Sequence, residues 1–458
     1  MKKEQYEKLL NILTSTGADF AEIYFEDEHN KVYEYTDSKL DALKSGNSRG
    51  IGFRIIYDND YYYSSTNKLD MTNLELTAKR LAENINSKKR DKTVNLSELE
   101  DKTTKVIIPH NEFPIEKKKN LLARLDRKIR ETYKEITQVT LVLIENNKTI
   151  FIANSDGKFI KTNATRTRYI CHTYAEKGEI KEDESFAFGS RKGYEFLDDI
   201  EIEKETLETA ASSVEKLSAK DFKGGEMPVV IGPGFGAVIF HEACGHGLEG
   251  TSVEPKLSIF SDQLNKQVGT KKVTLIDDGT IENAWGSSIV DDEGNPTEKN
   301  ILIDKGILKK YLIDTYSGIK MHQKSNGCGR RESYEYAPTS RMSNTYLAPG
   351  NDKFEDMIKS ISYGIYCKRL SGGQVNTTTG DFNFVVTQAY VIRKGEIAER
   401  IKGVTLIGNG KDILNKVEMV GDDLKLAEGY CGSKSGMIYV TCGQPSIKIS
   451  KILVGGKE

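Results

Sequence analysis

Residues 226–250 read EMPVVIGPGFGAVIFHEACGHGLEG. Glu226 to Ile231 becomes β-branched toward its end, Gly232-Pro233-Gly234 interrupts it, and Phe235 to His246 is mostly apolar over a helical length. The stretch predicts a buried strand, a tight turn and a buried helix, with His241, Glu242 and His246 at the helix end. Two neutral imidazoles bind zinc or a similar divalent ion. A carboxylate beside that ion can take a proton from the bound water and make a nucleophile near neutral pH.

The histidines stand five residues apart, not the four of the common metalloprotease helix motif. On a regular α-helix a separation of five splays the rings by roughly 140°, too far to share an ion. A single wide turn of the π type, with hydrogen bonds one residue longer, returns both to one face. Gly245, lacking Cβ, makes that distortion cheaper. The spacing therefore predicts a distorted turn at Ala243 to Gly245. Gly232-Pro233-Gly234-Phe235-Gly236 lacks the lysine and the serine or threonine of a phosphate loop, so nucleotide binding is discounted.

A catalytic zinc takes three protein ligands, so a further one is needed. Glu249, Glu254, His322 and the late cysteines Cys431 and Cys442 are candidates, and spacing does not choose between those cysteines; Cys244, three residues from His241, would strain one short turn as a ligand and reads as a packing residue. Arg330-Arg331-Glu332 can orient a substrate carboxylate or steady an oxyanion, or equally form a salt-bridged loop against a sheet. His29, His110 and His172 read as packing or surface residues. Asp277-Asp278 and Asp291-Asp292 lie beside strands, where Asp-Gly and Glu-Gly are first of all turn formers.

The 458-residue chain is too long for one ordinary core, and a net charge of -2 with both signs abundant argues against a general nucleic-acid or membrane surface. Charges interrupt the apolar pairs of Met1 to Thr14, and no run approaches a membrane span, which predicts a cytoplasmic protein. Six cysteines without paired spacing predict no disulfide framework.

The fold class expected is α+β. A helix at Met1 to Gly17, strands at Asp19 to Phe25, Lys31 to Tyr35, Gly50 to Tyr57 and Tyr61 to Thr66, and a helix at Asn73 to Asn84 make an N-terminal α/β region with an antiparallel sheet, residues 1–110. Its last part, Lys89 to Asn111, is polar and irregular. A central region, 111–221, has a helix at Pro114 to Glu135, a β-meander at Gln138 to Phe188 with Asn-Asn, Asp-Gly and Lys-Gly turns, and a helix at Asp199 to Ala219. Residues 222–458 carry short strands at Lys272 to Asp277, Ile301 to Asp304, Gly306 to Tyr311, Phe382 to Val391 and Ser446 to Val454. They predict a mostly antiparallel, barrel-like domain around the metal-binding helix.

His241-Glu242-Ala243-Cys244-Gly245-His246-Gly247-Leu248-Glu249-Gly250 resembles the signature of the TldD/PmbA family of metallopeptidases. Further matches follow in order: Asp277 to Thr280, Asp291 to Gly294, Gly329 to Tyr334, Arg341 to Thr345, Gly372 to Val375, Lys402 to Gly408 and Met419 to Leu424. Looser ones lie at Gly17 to Glu22 and Gly50 to Arg54. The resemblance implies a TldD-type subunit, the class that keeps HExxxH where PmbA (TldE) subunits lack it, and one Zn2+ per active subunit. It implies Cys431 as third ligand, followed by Gly443-Gln444-Pro445, although the loop before Cys431 is short and Cys442 is an addition. His241, His246 and Cys431 would then bind zinc, with Glu242 the general base for the zinc-bound water. The expected activity is hydrolysis of small peptides or unfolded polypeptides inside a dimer cavity, in a homodimer or with a PmbA/TldE-type partner. The alternative is a non-catalytic, metal-stabilised peptide-binding or structural subunit, which the presence of Glu242 disfavours.

Overall fold

The computed structural model describes residues 1–85, 93–376 and 378–456. The chain is α+β: its first half builds one large antiparallel sheet backed by helices, and its second half a closed barrel beside another sheet.

In the first sheet the strands lie in the order Asp60–Thr66, Lys39–Tyr57, Phe20–Thr36, Ile136–Asn154, Phe159–Lys177 and Ile180–Ser190, each antiparallel to the next. The sheet thus takes strands from both sides of residue 110. Odd-numbered residues of Phe20–Thr36 face the helices, as the period of two requires. Ile23 and Phe25 pack with Leu9, Leu10 and Leu13 of the helix Lys3–Thr14 and with Leu74 and Leu81 of the helix Met71–Ala82. Further along, Tyr33 and Tyr35 pack with Leu122, Leu125 and Ile129 of the helix Ile115–Thr132 and Ala210 of the helix Ile202–Lys216. One face therefore carries two helix-covered cores.

Two sequence expectations change here. Asp19 to Phe25 and Lys31 to Tyr35 belong to one strand, because the polar residues between them are paired on both sides; His29 faces Asn47 and Asn147. Asn146-Asn147 is no turn but the interior of Ile136–Asn154. There Asn146 Nδ2 donates to Asn30 Oδ1 at 2.6 Å, and Asn147 Nδ2 meets His110 Nδ1 at 2.8 Å, so partners across the sheet satisfy amides that in isolation favour a turn. Of Lys89 to Asn111, residues 89–92 lie outside the described residues; within the rest, Glu100–Lys102 adds a short strand parallel to Phe159–Lys177.

The opposite face of the sheet meets the second half of the chain. Arg54 Nη2 donates to Glu22 at 2.8 Å and to Glu293 at 2.6 Å, and Arg331 also pairs with Glu22. Tyr24, Ile150 and Ile152 pack with Tyr334 beside them.

In the second half, Gly225–Ile231, Ile447–Gly455, Val404–Asn409, Asp381–Arg393 and Tyr363–Val375 form a ring, closed where Tyr363–Val375 runs parallel to Gly225–Ile231; the other four pairings are antiparallel. Closure leaves these strands no open edge. A second sheet contains Leu275–Asp278, Lys299–Asp304, Asn344–Leu347, Lys425–Ser433 and Gly436–Gln444. The expected strand Gly306 to Tyr311 shrinks to Ile307–Leu308. The chain leaving Ile231 enters the core, where Val238, Ile239, Phe240, Cys244 and Leu248 join Phe384 and Leu406 from the barrel and Leu275 from the second sheet. No described helix is long and apolar enough to cross a membrane.

Candidate metal centre

After the turn at Gly234 (φ 91°) the chain coils unevenly: a 3-10 turn at Phe235–Ala237, α at Val238–Phe240, a π turn at His241–Gly245 and another 3-10 turn at His246–Leu248. The His246 N–H donates to the His241 carbonyl, five residues back, which is the wide turn the spacing predicts. Gly245 packs closely there: a Cβ would lie 1.9 Å from Met342 Sδ, so the Met342 side chain would have to shift. Gln444 straps the preceding turn: its Nε2 donates to the Gly232 carbonyl at 3.1 Å and its carbonyl accepts from the Gly234 N–H at 3.0 Å.

The wide turn sets both imidazoles toward the strand Lys425–Ser433. Nε2 of His241 lies 3.2 Å and Nε2 of His246 3.1 Å from Cys431 Sγ, while Glu242 Oε2 is 3.7 Å from His246 Nε2. Ligand atoms of His241, Glu242, His246 and Cys431 all lie within 4.8 Å of one another. His241, His246 and Cys431 are buried, at 1%, 8% and 4% exposure, whereas the Glu242 side chain keeps 20%. The carboxylate is thus the member that solvent or substrate reaches.

Around this group, second contacts fix the donors. His246 Nδ1 faces Glu249 Oε1 at 3.1 Å, which leaves Nε2 directed at the cluster. The buried Arg341 donates to the Cys431 carbonyl at 2.6 Å, to Ser435 Oγ at 3.0 Å and to the Gly436 carbonyl at 3.1 Å, holding the strand that carries the thiol and the turn after it. Cys442 neighbours the His241 ring. Burial pushes the Cys431 thiol up, but His241 and His246 outweigh it and bring it down to about 3. Burial pulls His246 down, and Glu249 and Cys431 reverse this, to about 10. Such a thiolate between two imidazoles is a donor set for a divalent cation. Tetrahedral zinc with ordinary bond lengths needs about 3.5 Å between nitrogen and sulfur, a few tenths more than the distances here, so the residues fit the ion with a slight opening.

The other candidates lie elsewhere. Glu249 is spent on Nδ1, Glu254 pairs with Lys320 at 2.8 Å, and His322 is the left-handed cap of the helix Thr315–Met321. Cys244 packs in the core, where burial pushes its thiol up. Arg331 is committed to Glu22, and Glu332 accepts the Met437 N–H at 2.7 Å, which is the salt-bridged, loop-holding alternative read from sequence. Arg330 forms no ion pair among the described residues and donates to the Met342 carbonyl at 2.7 Å. Asp277 accepts from Ser343 N and Thr345 Oγ1, Asp278 from Thr280, and Asp291 from the backbone of Glu293 and Asn295, as loop-forming side chains do. Sequence reading assigned no role to Arg341 or Gln444; each lies in a quoted motif, but no spacing ties either to its distant partner.

Models of the PmbA/TldA metallopeptidase family match the chain in three pieces: domain 1 over residues 21–85, the central domain over 108–219 and the C-terminal domain over 224–456. A metalloprotease TldD homolog of Buchnera aphidicola subsp. Acyrthosiphon pisum is 36% identical, with 98% of this chain and 95% of the relative covered. A zinc metalloprotease TldD homolog of Saccharolobus solfataricus is 26% identical, covering 96% and 97%. Among solved structures, TldE from Thermococcus kodakarensis shares the fold with a TM-score of 0.77 at 18% identity, over 99% of this chain and all of the other.

Proposed function

Because the chain belongs to the PmbA/TldD family of metallopeptidases and is itself a metallopeptidase, we propose that it is zinc-dependent, with His241 and His246 holding the ion through Nε2 and Cys431 through Sγ. The convergence of these donors with Glu242 inside 4.8 Å carries the reading. Zinc bound there would polarise a peptide carbonyl and lower the pKa of an adjacent water. Glu242, the partly exposed member, takes the proton of the attacking water on its carboxylate and returns it to the leaving amine. Glu249 holds the His246 ring in place, and Arg341 keeps the Cys431 backbone from shifting as the thiolate loads.

The substrates are small peptides or unfolded polypeptides, taken into the cavity of a homodimer or of a heterodimer with a TldE-type subunit. All six cysteines are unpaired and buried, which suits the reducing cytoplasm. The reading is tested by product analysis of an unstructured peptide mixture. Chelation should stop cleavage and zinc restore it, and Glu242→Gln should keep the metal while losing about 100- to 10,000-fold in kcat. A fully active Glu242→Gln protein would refute the proton-transfer role.

A further inference from the structure

Where the first sheet meets the second half of the chain, a cleft remains in which two cations lack an ion-pair partner among the described residues. Four cations line it: Lys148, Arg166, Arg330 and Arg331. Two are neutralised within the protein, Lys148 by Glu26 at 3.1 Å and Glu28 at 3.4 Å, and Arg331 by Glu22. Arg166 and Arg330 form no ion pair among the described residues. Arg166 Nε donates to the Trp285 carbonyl at 3.0 Å with its guanidinium 4.1 Å from the Tyr439 ring centre, and Arg330 has only the Met342 carbonyl. Yet both are buried, at 6% and 8% exposure.

Each guanidinium has five N–H donors in a planar fork, and the bonds to the Trp285 and Met342 carbonyls use one apiece. Asp292 and Glu332 also line the cleft, Asp292 being the carboxylate with most influence on Arg330, but among the described residues neither forms an ion pair with Arg166 or Arg330. Asp291 lies in the lining as well, where burial and Glu293 push its carboxyl well up. Burial, with too little compensation from Asp292, brings Arg330 down to about 10, and Arg166 is lowered by burial in the same way. Two buried like charges without ion pairs are costly unless an anion joins them.

The cleft adjoins the candidate metal centre. Ile438 lines it and also faces Cys431 across the hairpin, and Met342, which takes the Arg330 hydrogen bond, packs on Gly245 of the wide turn. The geometry points to a carboxylate-binding pocket in which the forks of Arg166 and Arg330 hold a carboxylate of the peptide substrate, either its C-terminal group or an acidic side chain. A planar carboxylate matches the forks in paired hydrogen bonds. This names a substrate class for the peptidase reading above and rests on it.

The test compares three versions of one peptide: the free acid, its C-terminal amide, and the amide with one neutral residue replaced by aspartate. Wild-type protein should favour each carboxylate-bearing version over the plain amide by about tenfold or more in KM. In Arg330→Gln and Arg166→Gln the acid-to-amide ratio should fall close to one, and Arg330→Lys, which keeps charge but loses the fork, should lie between. Equal KM values for all three peptides in the wild-type protein overturn the pocket, whatever the variants do, and so does an unchanged ratio in a folded Arg330→Gln. Calorimetric binding of the same peptides to Glu242→Gln protein separates the two hypotheses. Carboxylate preference there without cleavage by the wild type sinks the peptidase reading and keeps the pocket; cleavage of every version without such preference does the reverse.

Discussion

The His241–His246–Cys431 cluster and the Glu22–Arg54–Glu293–Arg331 network are both buried, both polar and both assembled from distant parts of the chain, yet they differ in what faces what. In the network each cation meets a carboxylate: Arg54 bridges Glu22 and Glu293, Arg331 meets Glu22, and Glu293 also accepts from Thr315 N and Oγ1 at 2.7 Å. In the cluster two ring nitrogens and a sulfur, all electron-pair donors once deprotonated, point at one another. Opposite charges close on themselves and hold the molecule together. Convergent donors of one kind are complete only around a cation.

If that contrast is right, the largest effect should follow from removing a donor. Cys431→Ala should lose zinc and with it hydrolysis, while Cys442→Ala should retain one zinc per chain by elemental analysis; the opposite pattern would move the ligand to Cys442. In the network, Arg54→Met removes the cation that bridges Glu22 and Glu293, leaving Glu22 its pair with Arg331 and Glu293 its hydrogen bonds from Thr315. It should cost about 3–5 kcal/mol in urea unfolding followed by circular dichroism. A loss under about 1 kcal/mol would mean the network is not the tie that its geometry suggests.

His110 sharpens the comparison as a buried histidine outside both groups. Its Nε2 meets Thr167 Oγ1 and its Nδ1 meets Asn147 Nδ2, each at 2.8 Å, and burial holds it down to about 4. Between its ordinary pKa near 6.5 and that value the unfolded chain binds more protons. Stability should therefore decline as pH falls through this window, by roughly 3 kcal/mol in total, and His110→Gln should flatten the slope. The smallest effect expected is at Gly245. Alanine there collides with Met342 and should cost about 1–3 kcal/mol in the same unfolding measurement, while leaving any closing of His241 and His246 on zinc to be read from metal affinity.

The wide turn was legible because five-residue spacing is a geometric statement that an α-helix cannot meet. The strand, turn and buried segment from Glu226 to His246 were legible because their apolar pattern is continuous. What failed to show was pairing at a distance. His29 and Asn30 looked like an interruption and Asn146-Asn147 like a turn, since a polar pair reveals nothing of the strand beside it. Arg331 looked as much like a substrate contact as a tie, because its partner Glu22 lies some 300 residues away. Cys431 stood among several candidates by residue type, and the fold alone brings its sulfur, and not Cys442, within the four-residue group.

Gly329–Arg330 pairs with Thr339–Ser340 as a small ribbon, and the arginine following each strand reaches a different half of the molecule. Arg331 anchors it to Glu22 of the first sheet, and Arg341 clamps the Cys431 carbonyl. The halves are consequently not exchangeable modules. A chimera replacing residues 1–221 must bring a carboxylate at the place of Glu22 and a guanidinium at that of Arg54, or the ribbon loses its mooring and the sulfur-bearing strand its fixed distance from the histidines.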